Sequence, residues 1–174
     1  MSPKYHKPDE YSHQAPYPEI RVKEKNLHYA EILMDDFAGM TSELTAINQY
    51  LYHHFLSEDI EEEIGELLEG VAITEMHHMD MLADLILKLG GYPTFRGSYS
   101  TGPTFWNGSF VYYGQNIHDQ LLADINAEII AINTYRHHMH IIDDPYVKEI
   151  IARIILDEEL HLKLFNEALA KLNR

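Results

Sequence analysis

Six side chains set the terms for any chemistry this chain can do: Glu43, Glu75 with His78, Glu128, and Glu158 with His161. Glu75 and His78 stand in TEMHHM and Glu158 and His161 in DEELHL, so both pairs have Glu-x-x-His spacing. Residues three apart share one face of a helix, so each pair can give a carboxylate and an imidazole to one metal ion. Glu43 and Glu128, arriving from two other helices, are then expected to bridge two such ions. Four ionised glutamates in an apolar bundle would be strongly unfavourable alone, because buried unpaired charge is costly. Two divalent cations neutralise them, and the imidazoles stay neutral. A single Glu-x-x-His on an acidic helix reads as a solvated face. A Glu, a Glu-x-x-His, a Glu and a Glu-x-x-His on four successive helices read instead as a dinuclear metal site.

The same residues expose an internal duplication. SELTAINQYLYHH, from Ser42, and AEIIAINTYRHHM, from Ala127, share E-x-x-A-I-N-x-Y-x-x-H, and a Glu-x-x-His follows each in nearly the same register. Tyr50 and Tyr135 lie two helical turns after Glu43 and Glu128, on the same face. There a phenol can hydrogen-bond a ligand carboxylate or yield an electron, or simply fill the core. Asp124 is expected to hold the free N–H of His78, and Asp157 that of His161; a helix-surface position is the alternative for both.

Composition narrows the chemistry further. The 174 residues are 45% hydrophobic, enough for one domain with a substantial core. With no cysteine, any metal must be held by oxygen and imidazole nitrogen. A formal net charge of −15 repels a phosphate backbone and so argues against nucleic acid. The sequence has no apolar run long enough for a membrane span and no secretory signal pattern, so the expected location is the cytoplasm.

The elements that must position these groups are helices. Residues 1–26, with Pro3, Pro8, Pro16 and Pro18, should form an extended N-terminal arm. Apolar residues at helical spacing predict a first helix from about Leu27 to Leu56. Ser57 can cap a second that runs from Glu58 to Leu89 and stops at Gly90, Gly91 and Pro93. A third is predicted from His118 to Ile142, and a fourth from Pro145 to Leu172 behind Asp143 and Asp144. Residues 90–114 lack helical period; fully extended, a link of about 25 residues reaches about 80 Å, past the ~45 Å of a 30-residue helix. The two middle helices can therefore run parallel. The expectation is an all-α four-helix bundle over 27–174 with one long crossover between the second and third helices.

SELTAINQYLYHH, TEMHHMDMLADLILKLGGYP and DEELHLKLFNEAL resemble the motifs of the bacterioferritin family within the ferritin-like di-metal proteins. The proline-rich arm and the large crossover are similar to manganese catalases. The resemblance implies Glu43, Glu75, His78, Glu128, Glu158 and His161 as metal ligands with Tyr50 beside them, and two iron ions as cofactors. The activity it implies is ferroxidase-type oxidation of Fe(II) by O₂ or H₂O₂. A two-manganese centre dismuting H₂O₂ and a non-enzymatic iron- or haem-binding protein are the alternatives. Bacterioferritins hold haem between two subunits through a methionine placed like Met76, although a packing methionine is the simpler reading of that residue. Gly70 and Thr74 stand where the family has its inner-surface iron-binding pair. Apolar positions beyond one stripe per helix suggest a homo-oligomer, at least a dimer.

Overall fold

The computed structural model describes residues 10–99 and 104–173, so residues 1–9 of the expected arm and 100–103 of the crossover lie outside the described part. Five α-helices account for most of it: α1 Leu27–Ala38, α2 Glu43–Ser57, α3 Glu62–Lys88, α4 Ile117–Ile141 and α5 Pro145–Leu172. Both α1 and α2 pack along α3, so together they fill one position of a four-helix bundle. Two apolar clusters flank the middle of that bundle. One is built around Leu33, Leu82, Leu85 and Ile150, the other around Leu68, Val71, Leu121 and Phe165.

The first helix is therefore not continuous, as its apolar period suggested. It breaks at residues 39–42. A Cβ on Gly39 would sit 2.6 Å from the carbonyl oxygen of Asp35, so only glycine lets the chain leave α1 at that point. Ser42 then restarts the helix, its Oγ accepting from Thr45 N and donating to the carbonyl of Gly39. The consequence for function is that Glu43 becomes the first residue of α2 rather than an interior one. At the other end Ser57 does not cap the next helix. It closes α2, and its carbonyl takes the N–H groups of Ile60 and Glu61 before α3 begins.

The remaining boundaries follow the sequence closely. Leu89 ends α3 before Gly90 at φ +96°. Asn116 caps α4, and Asp144 caps α5 with Pro145 in its first turn. Tyr50 meets Glu128 while Tyr135 meets Glu43, which makes α2 and α4 antiparallel. His78 meets Glu158 and His161 meets Glu75, which makes α3 and α5 antiparallel. Since α2 and α3 form a hairpin, the middle helices α3 and α4 run parallel, and the crossover returns along the bundle. It is pinned by Arg96 on both oxygens of Glu31, at 2.9 and 3.0 Å, and by Trp106 Nε1 on Thr45 Oγ1. Among the described residues no helix is long and apolar enough to cross a membrane.

Candidate metal centre

All six sequence-derived candidates converge in the middle of the bundle, each at most 4% exposed. Glu43 comes from α2, Glu75 and His78 from α3, Glu128 from α4, and Glu158 and His161 from α5. They form two groups: Glu43, Glu75, His78 and Glu158, and Glu75, Glu128, Glu158 and His161. Within each group the ligand atoms lie within 4.8 Å of one another, close enough for one ion. Glu75 and Glu158 belong to both groups, whereas Glu43 and Glu128 each belong to one. The expected arrangement put Glu43 and Glu128 between the ions; here the carboxylates of the two Glu-x-x-His pairs are the ones common to both groups, and Glu43 and Glu128 lie at the ends. The physical reason is that α3 and α5 cross antiparallel, so each pair faces the other's imidazole as well as its own: His161 Nδ1 is 3.0 Å from Glu75, and His78 Nδ1 is 3.1 Å from Glu158.

Both imidazoles present the correct nitrogen. His161 Nε2 donates to the carbonyl oxygen of Tyr11 at 2.8 Å, and a carbonyl can only accept. His78 Nε2 donates to Asp157 Oδ2 at 2.9 Å. A neutral ring in either position therefore turns the Nδ1 lone pair into the centre. Buried Glu75 Oε1, Glu128 Oε2, Glu158 Oε1 and His161 Nδ1 make no hydrogen bond of good geometry, even where His161 Nδ1 and Glu75 Oε1 face each other at 3.0 Å, a number of ill-satisfied atoms unusual for one buried spot. Cations would satisfy all four. The donor set, four carboxylates and two imidazoles without sulfur, suits iron or manganese.

The electrostatics agree with that fit. Burial raises Glu43 and Glu128 well above the usual carboxylate range, and the neighbouring Glu75 and Glu158 charges push in the same direction. The dipole of α2 favours a Glu43 carboxylate in its first turn, but burial wins. Burial opposes protonation of both imidazoles, yet the carboxylates, Glu75 foremost, raise His78 strongly and bring His161 up to about 10. Burial also raises Glu75 and Glu158, but the two cationic rings outweigh it and hold both low. Without metal the electrostatics thus favour protons on the two imidazoles, and on the two end carboxylates over Glu75 and Glu158. Two divalent cations would balance all four glutamates once those protons leave.

Around this centre the duplication is expressed as crossed pairs. Tyr50 of one half donates to Glu128 of the other, and Tyr135 donates to Glu43. Burial, reinforced by those glutamates, raises both phenols far above their usual range, so they stay protonated and act as donors. The aspartates do not serve the imidazoles expected of them. Asp157 bonds His78, not His161, because it projects across to α3. Asp124 is too far along α4 to meet His78 and instead bonds His53 at 2.9 Å and Gln49 at 2.8 Å. Its repeat-related counterpart is His138 on Asp36, at 2.7 Å. His53, His138 and Asp36 had no role in the sequence reading. The signal was present: both histidines are the final residue of the shared E-x-x-A-I-N-x-Y-x-x-H.

Access differs by face. Between α2 and α4 a cavity of about 360 Å³ reaches the carboxylates of Glu43, Glu75, Glu128 and Glu158. Met40, Ala46, Ala127, Ile130, Ala131 and the crossover's Phe110 make it largely apolar. On the opposite face, between α3 and α5, the N-terminal segment meets His161 through the Tyr11 carbonyl and reaches Asp157, the partner of His78, through the His13 N–H. Met76 points away from the centre and is 43% exposed on α3.

Fold and site define a class: a ferritin-like bundle whose core is arranged for a dinuclear metal centre. Residues 38–174 match the profile of the ferritin-like domain, and the chain belongs to that family. It is similar to a probable manganese catalase of Clostridium acetobutylicum, 27% identical across 88% of this chain and 75% of that protein. It is also similar to a bacterioferritin of Brucella melitensis, 30% identical across 69% of this chain and 71% of that one. Among solved structures, KatB, a manganese catalase from Anabaena PCC7120, superposes with a TM-score of 0.83 at 26% identity, covering 98% of this chain and 81% of its own. The bacterioferritin of Desulfovibrio desulfuricans, described with a diiron site, gives 0.72 at 26% identity over 84% and 80%.

Proposed function

We propose that the chain is a dinuclear manganese oxidoreductase that dismutes hydrogen peroxide, 2 H₂O₂ giving 2 H₂O and O₂. The observation that carries this reading is the extent of the likeness. With the Anabaena manganese catalase it runs through 98% of the chain and so includes the N-terminal segment beside the site, whereas the bacterioferritin structures cover 84–87% of it. Glu43, Glu75, His78, Glu128, Glu158 and His161 would hold the ions, Glu75 and Glu158 being the carboxylates that both groups share. A manganese pair held there would supply a two-electron redox couple. The protein's own contribution is positional. Tyr50 and Tyr135 fix the end carboxylates, Asp157 and the Tyr11 carbonyl fix the imidazoles, and the cavity between α2 and α4 gives a small substrate a way to the carboxylates.

A ferroxidase acting on Fe(II) with O₂ or H₂O₂ is the second reading, favoured by the 30% identity to the Brucella bacterioferritin. The test is oxygen release from peroxide by protein loaded with manganese and, separately, with iron. Release confined to the manganese form is expected. Rapid Fe(II) oxidation with no oxygen release from the manganese form would overturn the catalase reading in favour of the ferroxidase.

A further inference from the structure

We propose that Arg153 is a positioning residue of the metal centre: it staples the N-terminal segment across α3 and α5 so that the backbone of Tyr11 and the carboxylate of Asp157 orient the two histidines and retain the ions. The inference rests on the metal-binding part of the proposed function and not on peroxide turnover.

The staple is built from both sides. Arg153 is 4% exposed, although arginine is rarely buried without dedicated partners. Its Nε donates to the carbonyl of Ala15 at 2.8 Å and an Nη donates to the carbonyl of His13 at 2.7 Å. The other Nη lies 2.7 Å from Asp157, and the guanidinium plane stacks 3.9 Å over the Tyr17 ring. Asp157 in turn accepts from the His13 backbone N–H and from the Tyr17 hydroxyl, each at 2.6 Å. The same carboxylate takes His78 Nε2. Hence one side chain of α5 is shared between the segment and a candidate ligand.

The segment reaches the second ligand through its backbone. The Tyr11 carbonyl accepts from His161 Nε2 and also from Thr74 Oγ1. The Tyr11 ring lies over Gly70, where an added Cβ would come within 2.2 Å of it. Gly70 and Thr74 are the two positions at which the sequence departs from the family's inner-surface iron-binding pair. Here they make room for the segment and anchor it. Partners of this kind set the tautomer and direction of a ligating imidazole, and losing one typically costs about 10–100-fold in metal affinity. Arg153 touches neither histidine, so its influence must pass through the segment and Asp157.

The experiment uses the full chain loaded with Mn(II) and compares the parent with Arg153→Met and Tyr17→Phe. Two quantities are read: the rate of chymotryptic cleavage after Tyr11, and the rate of manganese release to excess chelator. Arg153→Met should raise both, with release accelerated roughly tenfold or more. Tyr17→Phe, which removes one donor from Asp157 and leaves the core intact, should give a smaller rise in both. It keeps the test valid if the arginine variant does not fold. Faster cleavage with unchanged manganese release in Tyr17→Phe and Arg153→Met would overturn the proposal. A parent chain that binds manganese firmly but ignores peroxide would overturn the catalase reading alone; one that binds neither manganese nor iron would overturn both.

Discussion

The two faces of the metal centre are finished in opposite ways. Toward α2 and α4 the surroundings obey the internal duplication: Tyr50 on Glu128 mirrors Tyr135 on Glu43, and His53 on Asp124 mirrors His138 on Asp36. Toward α3 and α5 the symmetry fails. His78 leans on a side chain, Asp157, while His161 leans on a backbone carbonyl from a segment outside the repeat. The comparison teaches that duplication built the ligand set and the open cavity. The closed face was completed by chain that has no counterpart in the other half.

If bridging and end positions are real, the largest effects separate them. Glu75→Gln should cost more than about 100-fold in affinity for both ions, beyond the ~10–100-fold expected of an outer partner, whereas Glu43→Gln should weaken one ion and spare the other. Metal content after dialysis checks this, and one residual ion in both variants would mean that Glu75 does not bridge. Loading itself should release protons near neutral pH, because His161, held up to about 10, and His78, raised in the same direction, must lose a proton to bind a cation. Calorimetry in buffers of different ionisation enthalpy counts them. Affinity should accordingly fall as the pH is lowered and protons compete.

The closed face is probed next by Asp157→Asn. Burial raises this carboxyl, but His78 and then Arg153 and Tyr17 hold it down at about 2. A group depressed on folding stabilises the protein above its unfolded value of 3.8 and loses that contribution as the pH falls toward 2. Urea unfolding of the metal-free protein should therefore show the variant weaker than the parent at pH 6, with the gap closing between pH 4 and pH 2. A gap independent of pH would show that the loss is packing and not charge.

Much of this was legible in the residues themselves. The six candidates, the four bundle positions and the boundaries of α4 and α5 follow from spacing and capping alone. What failed has physical causes. The break at Gly39 was hidden because Phe37, Met40 and Leu44 keep the helical period through it, although Gly39 and the Ser42 cap were in plain view. That Glu75 and Glu158, rather than Glu43 and Glu128, are common to both groups was hidden because spacing along one helix says nothing about the angle at which two helices cross. The aspartate partners were exchanged for the same reason. The closing segment was hard to see: its hydrogen bonds to His161 and Arg153 are made by backbone carbonyls, which any residue type supplies, and the Tyr17 ring over Arg153 has no spacing pattern to announce it.

The smallest effects belong to the open face, where the duplication predicts equality. Tyr50→Phe and Tyr135→Phe each remove a donor from a buried end carboxylate, a loss of about 1–3 kcal/mol where nothing replaces it. Since each glutamate would also be held by an ion, the lower end applies, and both variants should keep their metal and turn over peroxide within about tenfold of the parent. Equal losses would sharpen the picture of a symmetric interior. Strongly unequal losses would break it, and the direction would be informative. Tyr135 lies beside the Asp36 and His138 pair, and Asp36 lines the cavity, whereas the pair near Tyr50 is capped by the Tyr112 carbonyl on His53. A heavier loss in Tyr135→Phe would therefore show that substrate approaches along the Asp36 side, where the break between α1 and α2 opens the wall.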